Sequence, residues 1–484
     1  MAAPSLGKQV GRGAIWSVVN SALVQVINLL VFLVTARFVP VADFGILATC
    51  LLFVELFKQI SVESFATAIV SRGAPDAGDY NACFLLIQIG AVIGAALMLL
   101  SAQFISEIMH NERIEFALRL TSVLLLSSGL SRTHEAWMTR QLLFKPLAIR
   151  SILALLVGGG AGLFLAMNGW GLTALVVQQL TTSLLSTILL WVVSDWRPSL
   201  RVERAKLLAT WRYGRHVAIT GFTNFANTQS DTFFSSYYLG ASATGIYNAA
   251  KRILLGLNQL MASALSRVAL PTFAGLRDDE ERLRGAFLNA VSFTTAITAP
   301  MFLSLIAVSD LVVRVALGAK WMEAAPIISI IAGTAYLTTI GQYNQAIILV
   351  KDKPHWQTVL TSIYAVSNIS LFLVVVRYGL QALAIGFTVR AVLLYPLSVG
   401  AALHLLRIKP MAYAARIAPS LAASAVMVGA LLMLHRTIDV PSPLLALVIH
   451  VAVGAVVYAA ALFVIGRRDM LALIRFARTA VARG

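Results

Sequence analysis

Apolar residues in this chain come in blocks of twenty or so, separated by short polar segments. Twenty helical residues rise about 30 Å, the thickness of a bilayer core. Fourteen such blocks can be marked: 14–36, 45–70, 82–106, 115–136, 147–167, 171–194, 212–238, 245–270, 286–309, 325–350, 356–376, 380–405, 414–435 and 444–466. The pattern predicts an all-α membrane protein with about 14 transmembrane helices. Lys8 and Arg12 precede the first block, which runs to about Thr35 without a small-residue cleavage site. That block reads as a retained helix rather than a signal peptide.

Composition agrees with the block pattern. Of 484 residues, 59% are hydrophobic and 12% charged, and the mean hydropathy is +0.82. A soluble domain carries about twice that charge. The formal charge of +17 would suit nucleic acid if the basic residues formed one patch. They do not. Segments on the side of the amino terminus hold roughly three times as many Lys and Arg as the opposite side, which has Arg37, Arg113, Arg119, Lys251, Arg252, Arg314, Lys320, Arg377 and Arg436. Lys and Arg accumulate on cytoplasmic loops, so both termini are expected in the cytoplasm and no nucleic-acid partner is implied. Cys50 and Cys83 sit inside apolar blocks and read as packing residues. The tail 467–484 can form a basic amphipathic helix on the inner leaflet, or simply end the last span with positive charge.

The blocks also repeat. At an offset of 200, Phe38-Val39-Pro40-Val41-Ala42-Asp43-Phe44-Gly45-Ile46-Leu47 lies over Tyr238-Leu239-Gly240-Ala241-Ser242-Ala243-Thr244-Gly245-Ile246-Tyr247, and Gln59 falls on Gln259. At 208, Lys145-Pro146 falls on Lys353-Pro354, and the segment from Gly171 to Leu175 on that from Gly379 to Leu383. Six spans separate the copies, so their topology is parallel. The expected layout is a first six-helix half (1–206), a second (207–409), two extra helices (410–466) and the tail (467–484). Two such bundles would enclose a central cavity.

Polar residues inside the blocks recur at helical spacing. The stripes are Ser17, Asn20, Ser21, Gln25, Asn28 and Thr35 in the first span, and Glu55, Lys58, Gln59 and Glu63 in the second. The seventh carries Thr220, Asn224, Asn227, Thr228, Asp231 and Ser235, and the eighth Asn248, Lys251, Arg252, Asn258 and Gln259. Steps of three and four place such residues on one helix face. At membrane depth that face must meet protein or water. Spans 1, 2, 7 and 8 are the repeat-related ones, so the four stripes together point to one hydrated cavity. Individually, Glu55 and Lys58 can neutralise each other, Lys251 and Arg252 can snorkel, and Ser, Thr and Asn can bond neighbouring helices. Arg390 stands alone in span 12.

The stretch Ala36-Arg37-Phe38-Val39-Pro40-Val41-Ala42-Asp43-Phe44-Gly45 resembles the loop after the first helix of polysaccharide flippases. Asp231-Thr232-Phe233-Phe234 with Gly240 and Gly245-Ile246-Tyr247 does so too, as do Pro271, Pro300 and Gly318-Ala319-Lys320-Trp321. Over nearly its whole length the chain is similar to Wzx-type exporters of the multidrug/oligosaccharidyl-lipid/polysaccharide superfamily, most of all to the colanic-acid and succinoglycan branch. The resemblance implies a bacterial inner-membrane flippase that moves undecaprenyl-diphosphate-linked oligosaccharide outward by alternating access, with membrane lipid, a polymerase and chain-length machinery as partners. Substrate-binding candidates are Lys58, Lys251, Arg252 and Arg390 for the diphosphate, and Gln59, Asn224, Asn258 and Gln259 for the sugars. Glu55, Glu63 and Asp231 are candidates for a coupling ion, and they offset the cations.

The alternatives are a peptidoglycan lipid-precursor flippase and a cation-coupled multidrug-type exporter. An enzyme is disfavoured: loops are short, and the sequence has no Gly-rich phosphate loop and no metal-ligand spacing, so no cofactor is expected. His134-Glu135 is the one adjacent His/acid pair and reads as an interfacial pair.

Overall fold

Hydrocarbon cannot hydrogen-bond to backbone, so a chain this apolar is driven into helices that satisfy themselves. The computed structural model describes residues 6–71, 75–199, 201–438 and 440–467, and no strand occurs among them. The tail beyond Arg467, and with it the amphipathic helix expected there, lies outside the described residues. The first helices are α1 (Leu6–Phe38), α2 (Val41–Lys58, a π-helical turn at Gln59–Glu63, then Ser64–Ser71), α3 (Ala77–Ile108), α4 (Arg113–Arg140), α5 (Phe144–Met167) and α6 (Gly171–Val193). A continuous run, Arg204–Gly275, contains two helices divided at Gly240: α7 before it and α8 after it. The remainder are α9 (Glu280–Ala316), α10 (Ala324–Val350), α11 (Pro354–Tyr378), α12 (Leu380–Leu406), α13 (Pro410–Thr437) and α14 (Pro443–Ile465).

These helices follow the order of the apolar blocks. Among the described residues, eleven are long and apolar enough, by length and composition, to cross a membrane. The other three are α2, α7 and α8, which carry three of the four polar stripes. Large apolar side chains such as Leu100, Phe164, Val192, Leu393 and Val464 lie exposed along the helices, as lipid-facing residues must. The protein is a multi-pass membrane protein.

The chain divides into two compact units, Met1–Asn248 and Ala249–Gly484, with the boundary inside α8. The second unit has a neutral polar interior. Hydroxyls of Thr294 and Tyr343 meet at 2.7 Å and those of Tyr395 and Tyr413 at 2.9 Å. Asn344 Nδ2 donates to Ser398 Oγ at 2.9 Å, and the Tyr458 hydroxyl donates to the Ala296 carbonyl at 2.7 Å. Phe273, Phe287, Ile347 and Leu403 pack around part of this set. Such bonds tie helices together where hydrophobic burial against lipid gives little drive.

In the first unit the repeated sequence becomes a physical crossing. Pro40 and Gly240 occupy equivalent positions, and both interrupt the helix. Pro40 does so with extended backbone (φ −57°, ψ 147°). Gly240 does so at φ 81°, ψ −176°, a region open essentially to glycine alone. Five residues on, Gly45 and Gly245 let α2 and α8 touch by their backbones. A Cβ on Gly45 would strike the Ala241 carbonyl, and one on Gly245 would strike the Val41 carbonyl. The two contacts are reciprocal under the offset of 200. Asp43, 2% exposed, fixes the start of α2 by pairing with Arg113 at 2.7 Å. Its carboxylate also lies where a side chain on Gly171 would fall, 2.6 Å from that Cβ position, so α6 starts against it.

On the other side, Lys206 donates to Asp76 at 2.5 Å and clasps the α2–α3 loop to the first turn of α7. That bond, helped by the Asp79 amide, holds the Asp76 carboxyl below its ordinary range. Gly45→Val and Gly245→Val are each expected to cost about 1–3 kcal/mol through overpacking. Gly160→Val, where a Cβ meets nothing within 4 Å, is expected to be neutral. Melting temperatures of the detergent-solubilised variants check this, and equal values for Gly45→Val and Gly160→Val would refute the close crossing.

Candidate functional site

The polar stripes of α2 and α7 adjoin in the first unit. Phe65 stacks on Trp211 at 5.7 Å between ring centres. Further along, the Gln59 side chain lies over Gly221, where a Cβ would come within 2.8 Å of Nε2. Asn224 comes one turn after Gly221 and is exposed. Nearer the glycine crossing, Thr49 and Ser236 share a buried hydroxyl contact at 2.6 Å. Lys58 pairs with Glu55 at 3.5 Å, both half-buried. Gln59 therefore lies at the seam between α2 and α7, while Lys58 pairs along its own helix with Glu55.

Asp231 is placed differently. It is 3% exposed, accepts from the Thr232 amide at 2.7 Å and from the Tyr247 hydroxyl at 3.0 Å, and so joins α7 to α8.

Glu63 leaves the seam because of the π turn. One residue inserted into an α-helix rotates everything after it by about 100°. Ser61 and Ser64 steady this turn by donating to the carbonyls of Phe57 and Gln59 at 2.6 and 2.7 Å. Glu63 thereby reaches Arg132 of α4 rather than Lys58. Arg132 Nη2 meets Glu63 at 2.7 Å while its Nη1 meets Glu135 at 2.9 Å. Glu135 in turn takes Nη2 of Arg150, on α5, at 2.6 Å. The result is a four-membered ion ladder, two arginines and two glutamates, joining α2, α4 and α5. Arg150 is 9% exposed, and Arg132 is the most open member.

Residues of the second unit separate by role. Asn258 is buried and donates Nδ2 to the Ala335 carbonyl at 3.1 Å, which pins α8 to α10. Gln259 beside it is exposed, and Lys251 and Arg252 are half-buried with partners of their own. Arg390 lies over the rings of Phe387 and Tyr364, 5.4 and 5.9 Å from their centres, and Nη1 reaches the Tyr364 carbonyl at 3.5 Å. Aromatic faces are a favourable setting for a cation at membrane depth.

His134 and Glu135 do not pair with each other, because consecutive helical residues face about 100° apart. Glu135 enters the ladder. His134 sits between Trp191 and Trp196, 4.6 and 4.8 Å from their rings, with Nδ1 3.0 Å from Ser194 Oγ. Sequence reading missed Arg132 and Arg150 as site candidates because both lie near span ends, where basic residues also mark topology. The one available signal was Arg132 and Glu135 at a three-residue spacing inside an apolar block. No group of three or more His, Cys, Asp and Glu suited to a metal ion occurs among the described residues.

Comparison with known proteins places this arrangement. The family described as "Polysaccharide biosynthesis protein" matches residues 33–326. The teichuronic acid biosynthesis protein TuaB of Bacillus subtilis is 22% identical over 374 residues, covering 75% of this chain and 77% of that one. The succinoglycan biosynthesis transport protein ExoT of Rhizobium meliloti is 25% identical over 325 residues, covering 67% of this chain and 66% of that one. Among solved structures, the lipid II flippase MurJ in an inward closed conformation superposes with a TM-score of 0.75 at 15% identity, covering 94% of this chain and 99% of that one. The last similarity establishes the fold. The family match spans more than half of the residues, and the chain belongs to the polysaccharide biosynthesis protein family.

Proposed function

We propose that this chain is a flippase for lipid-linked oligosaccharide, moving undecaprenyl-diphosphate-linked repeat units from the inner to the outer leaflet for surface polysaccharide assembly. The observation that carries this reading is the concentration of polar residues in stripes on α2, α7 and α8, in a chain of a polysaccharide biosynthesis family. Such cargo makes three physical demands. Its sugars need a hydrated path, its diphosphate needs cations, and its polyprenyl tail stays in lipid. The stripes suit the first demand. Lys58 in the first unit, and Lys251, Arg252 and Arg390 in the second, suit the next. Gln59, Asn224, Asn258 and Gln259 offer hydrogen bonds to sugar. The nearly all-apolar α13 and α14 suit contact with the tail.

In this reading the protein is a transporter rather than an enzyme. It lies in the bacterial inner membrane with both termini cytoplasmic, and it hands cargo to polymerase and chain-length machinery. Two six-helix halves, 1–206 and 207–409, alternate access to the two leaflets. Glu55 and Asp231 remain the candidates for a coupling ion. Glu63 serves that role only if it exchanges Arg132 for the ion.

Loss of the protein is expected to trap undecaprenyl-linked repeat units at the inner leaflet, read by lipid extraction and mass spectrometry. Sensitivity to drugs without such accumulation overturns the flippase reading. Lys58→Ala and Arg390→Ala are each expected to lower polysaccharide export about tenfold with normal membrane levels, the scale of one lost charge-assisted bond. Normal export from both variants removes these residues from the cargo path.

A further inference from the structure

The ion ladder is more than a structural tie by its own stoichiometry. Two guanidinium groups bring ten N–H donors. The two glutamates engage three of their nitrogens, at 2.6 to 2.9 Å. A fourth interaction, from Arg150 Nη2 to Ser151 Oγ, is long at 3.4 Å. Among the described residues, Nε of Arg132 and both Nε and Nη1 of Arg150 are buried without a hydrogen-bond partner. Buried donors left unmade are costly, and costlier still on a charged group. A ladder serving structure alone would need no second arginine so poorly satisfied. The surplus fits an anion with more acceptor oxygens than a carboxylate has.

Position and access agree. Glu63, Arg132 and Arg150 each lie about two turns, or ~10 Å, from the helix ends nearest the amino-terminal side. Arg150 forms the floor at 9% side-chain exposure, whereas Arg132 is 39% exposed and Glu63 22%. Arg132 is the member open to an incoming group. Arg140, one helical end further, bonds to the Ile69 carbonyl at 3.2 Å and adds positive charge at the same end. Glu63 is the member delivered by the π turn, and π turns are local insertions that collect at functional positions.

We propose that Arg132 and Arg150 form a diphosphate-binding subsite whose place Glu63 holds until an anion displaces it. Arginine forks match phosphate oxygens in pairs, and a diphosphate outcompetes a single carboxylate for them. Glu135, both of whose oxygens are already engaged, stays to orient the two guanidinium groups. The chemistry recognised is a diphosphate, and the source assigned is the headgroup of lipid-linked cargo, which rests on the flippase reading. This subsite precedes the candidate cations of the polar stripes. It lies where a headgroup entering from the amino-terminal side first meets protein.

The test uses the purified full chain in lipid nanodiscs with farnesyl diphosphate and inorganic pyrophosphate as probes, measured by calorimetry. Farnesyl diphosphate is expected to bind the unaltered chain, and pyrophosphate to displace it. Arg132→Gln is expected to weaken binding about tenfold or more, one charge-assisted contact. Glu63→Gln is expected to strengthen it severalfold, because the internal competitor loses its charge. A purely structural ladder predicts the reverse for Glu63→Gln, namely weaker or unchanged binding. Thermal melting of each variant identifies misfolding, and Arg132→Lys, which keeps the charge, is expected to restore part of the affinity. Equal affinity in the unaltered chain and Arg132→Gln overturns the subsite, as does binding of pyrophosphate without farnesyl diphosphate. If the subsite fails, export by Arg132→Gln stays normal while trapped repeat units still accumulate on loss of the protein. If the flippase reading fails, those units never accumulate, whatever the binding result.

Discussion

Within a bilayer no solvent is available to satisfy a polar group, and the rest of this protein's architecture depends on that constraint. Backbone groups close on themselves in helices. Side-chain groups must find one another across helix boundaries, so the polar residues of a mostly apolar chain become its connectors. In the second unit several connectors are neutral, with hydroxyls of Tyr343 and Thr294, or Tyr395 and Tyr413, in contact. In the first unit they are partly ionic, and the ladder through Glu63, Arg132, Glu135 and Arg150 joins three helices. Lipid faces carry apolar side chains such as Leu100 and Val464.

The same constraint explains how much could be read from the sequence. Apolar block length set the helices and their order, because thickness alone decides it. The duplication was readable in the stretch around Gly45 and Gly245, and its cause is now physical. Each glycine admits the other copy's backbone, and any side chain would part the helices. The equivalence of Pro40 and Gly240 was visible only as an alignment. That both break a helix, by different backbone routes, needed the three-dimensional structure.

The candidate site was legible in part. Gln59 lies against α7 at Gly221, while Lys58 pairs with Glu55 one turn back on its own helix. Spacing fails at Glu63, because a single π turn shifts the phase of every later residue in the helix and composition does not announce it. Asp231 looked like an open acid. Its partners include Thr232 beside it and Tyr247 sixteen residues on, across the break at Gly240. Arg132 and Arg150 were counted as topology markers. Their pairing depends on tertiary neighbours contributed by α2 and α4.

The ladder has no counterpart in the second copy. An offset of 200 places Ser263 opposite Glu63, and residues 332–343, opposite the ladder's α4 segment at offsets of 200 to 208, contain no charge. The two kinds of connector therefore follow different rules of inheritance. A neutral hydroxyl contact can be lost singly, at modest loss of stability. Removing one rung of an ionic chain leaves its neighbour an unpaired charge, most costly at Arg150, which is 9% exposed. Drift through the ladder must proceed by joint replacement of partners, while a lone hydroxyl contact can change one residue at a time.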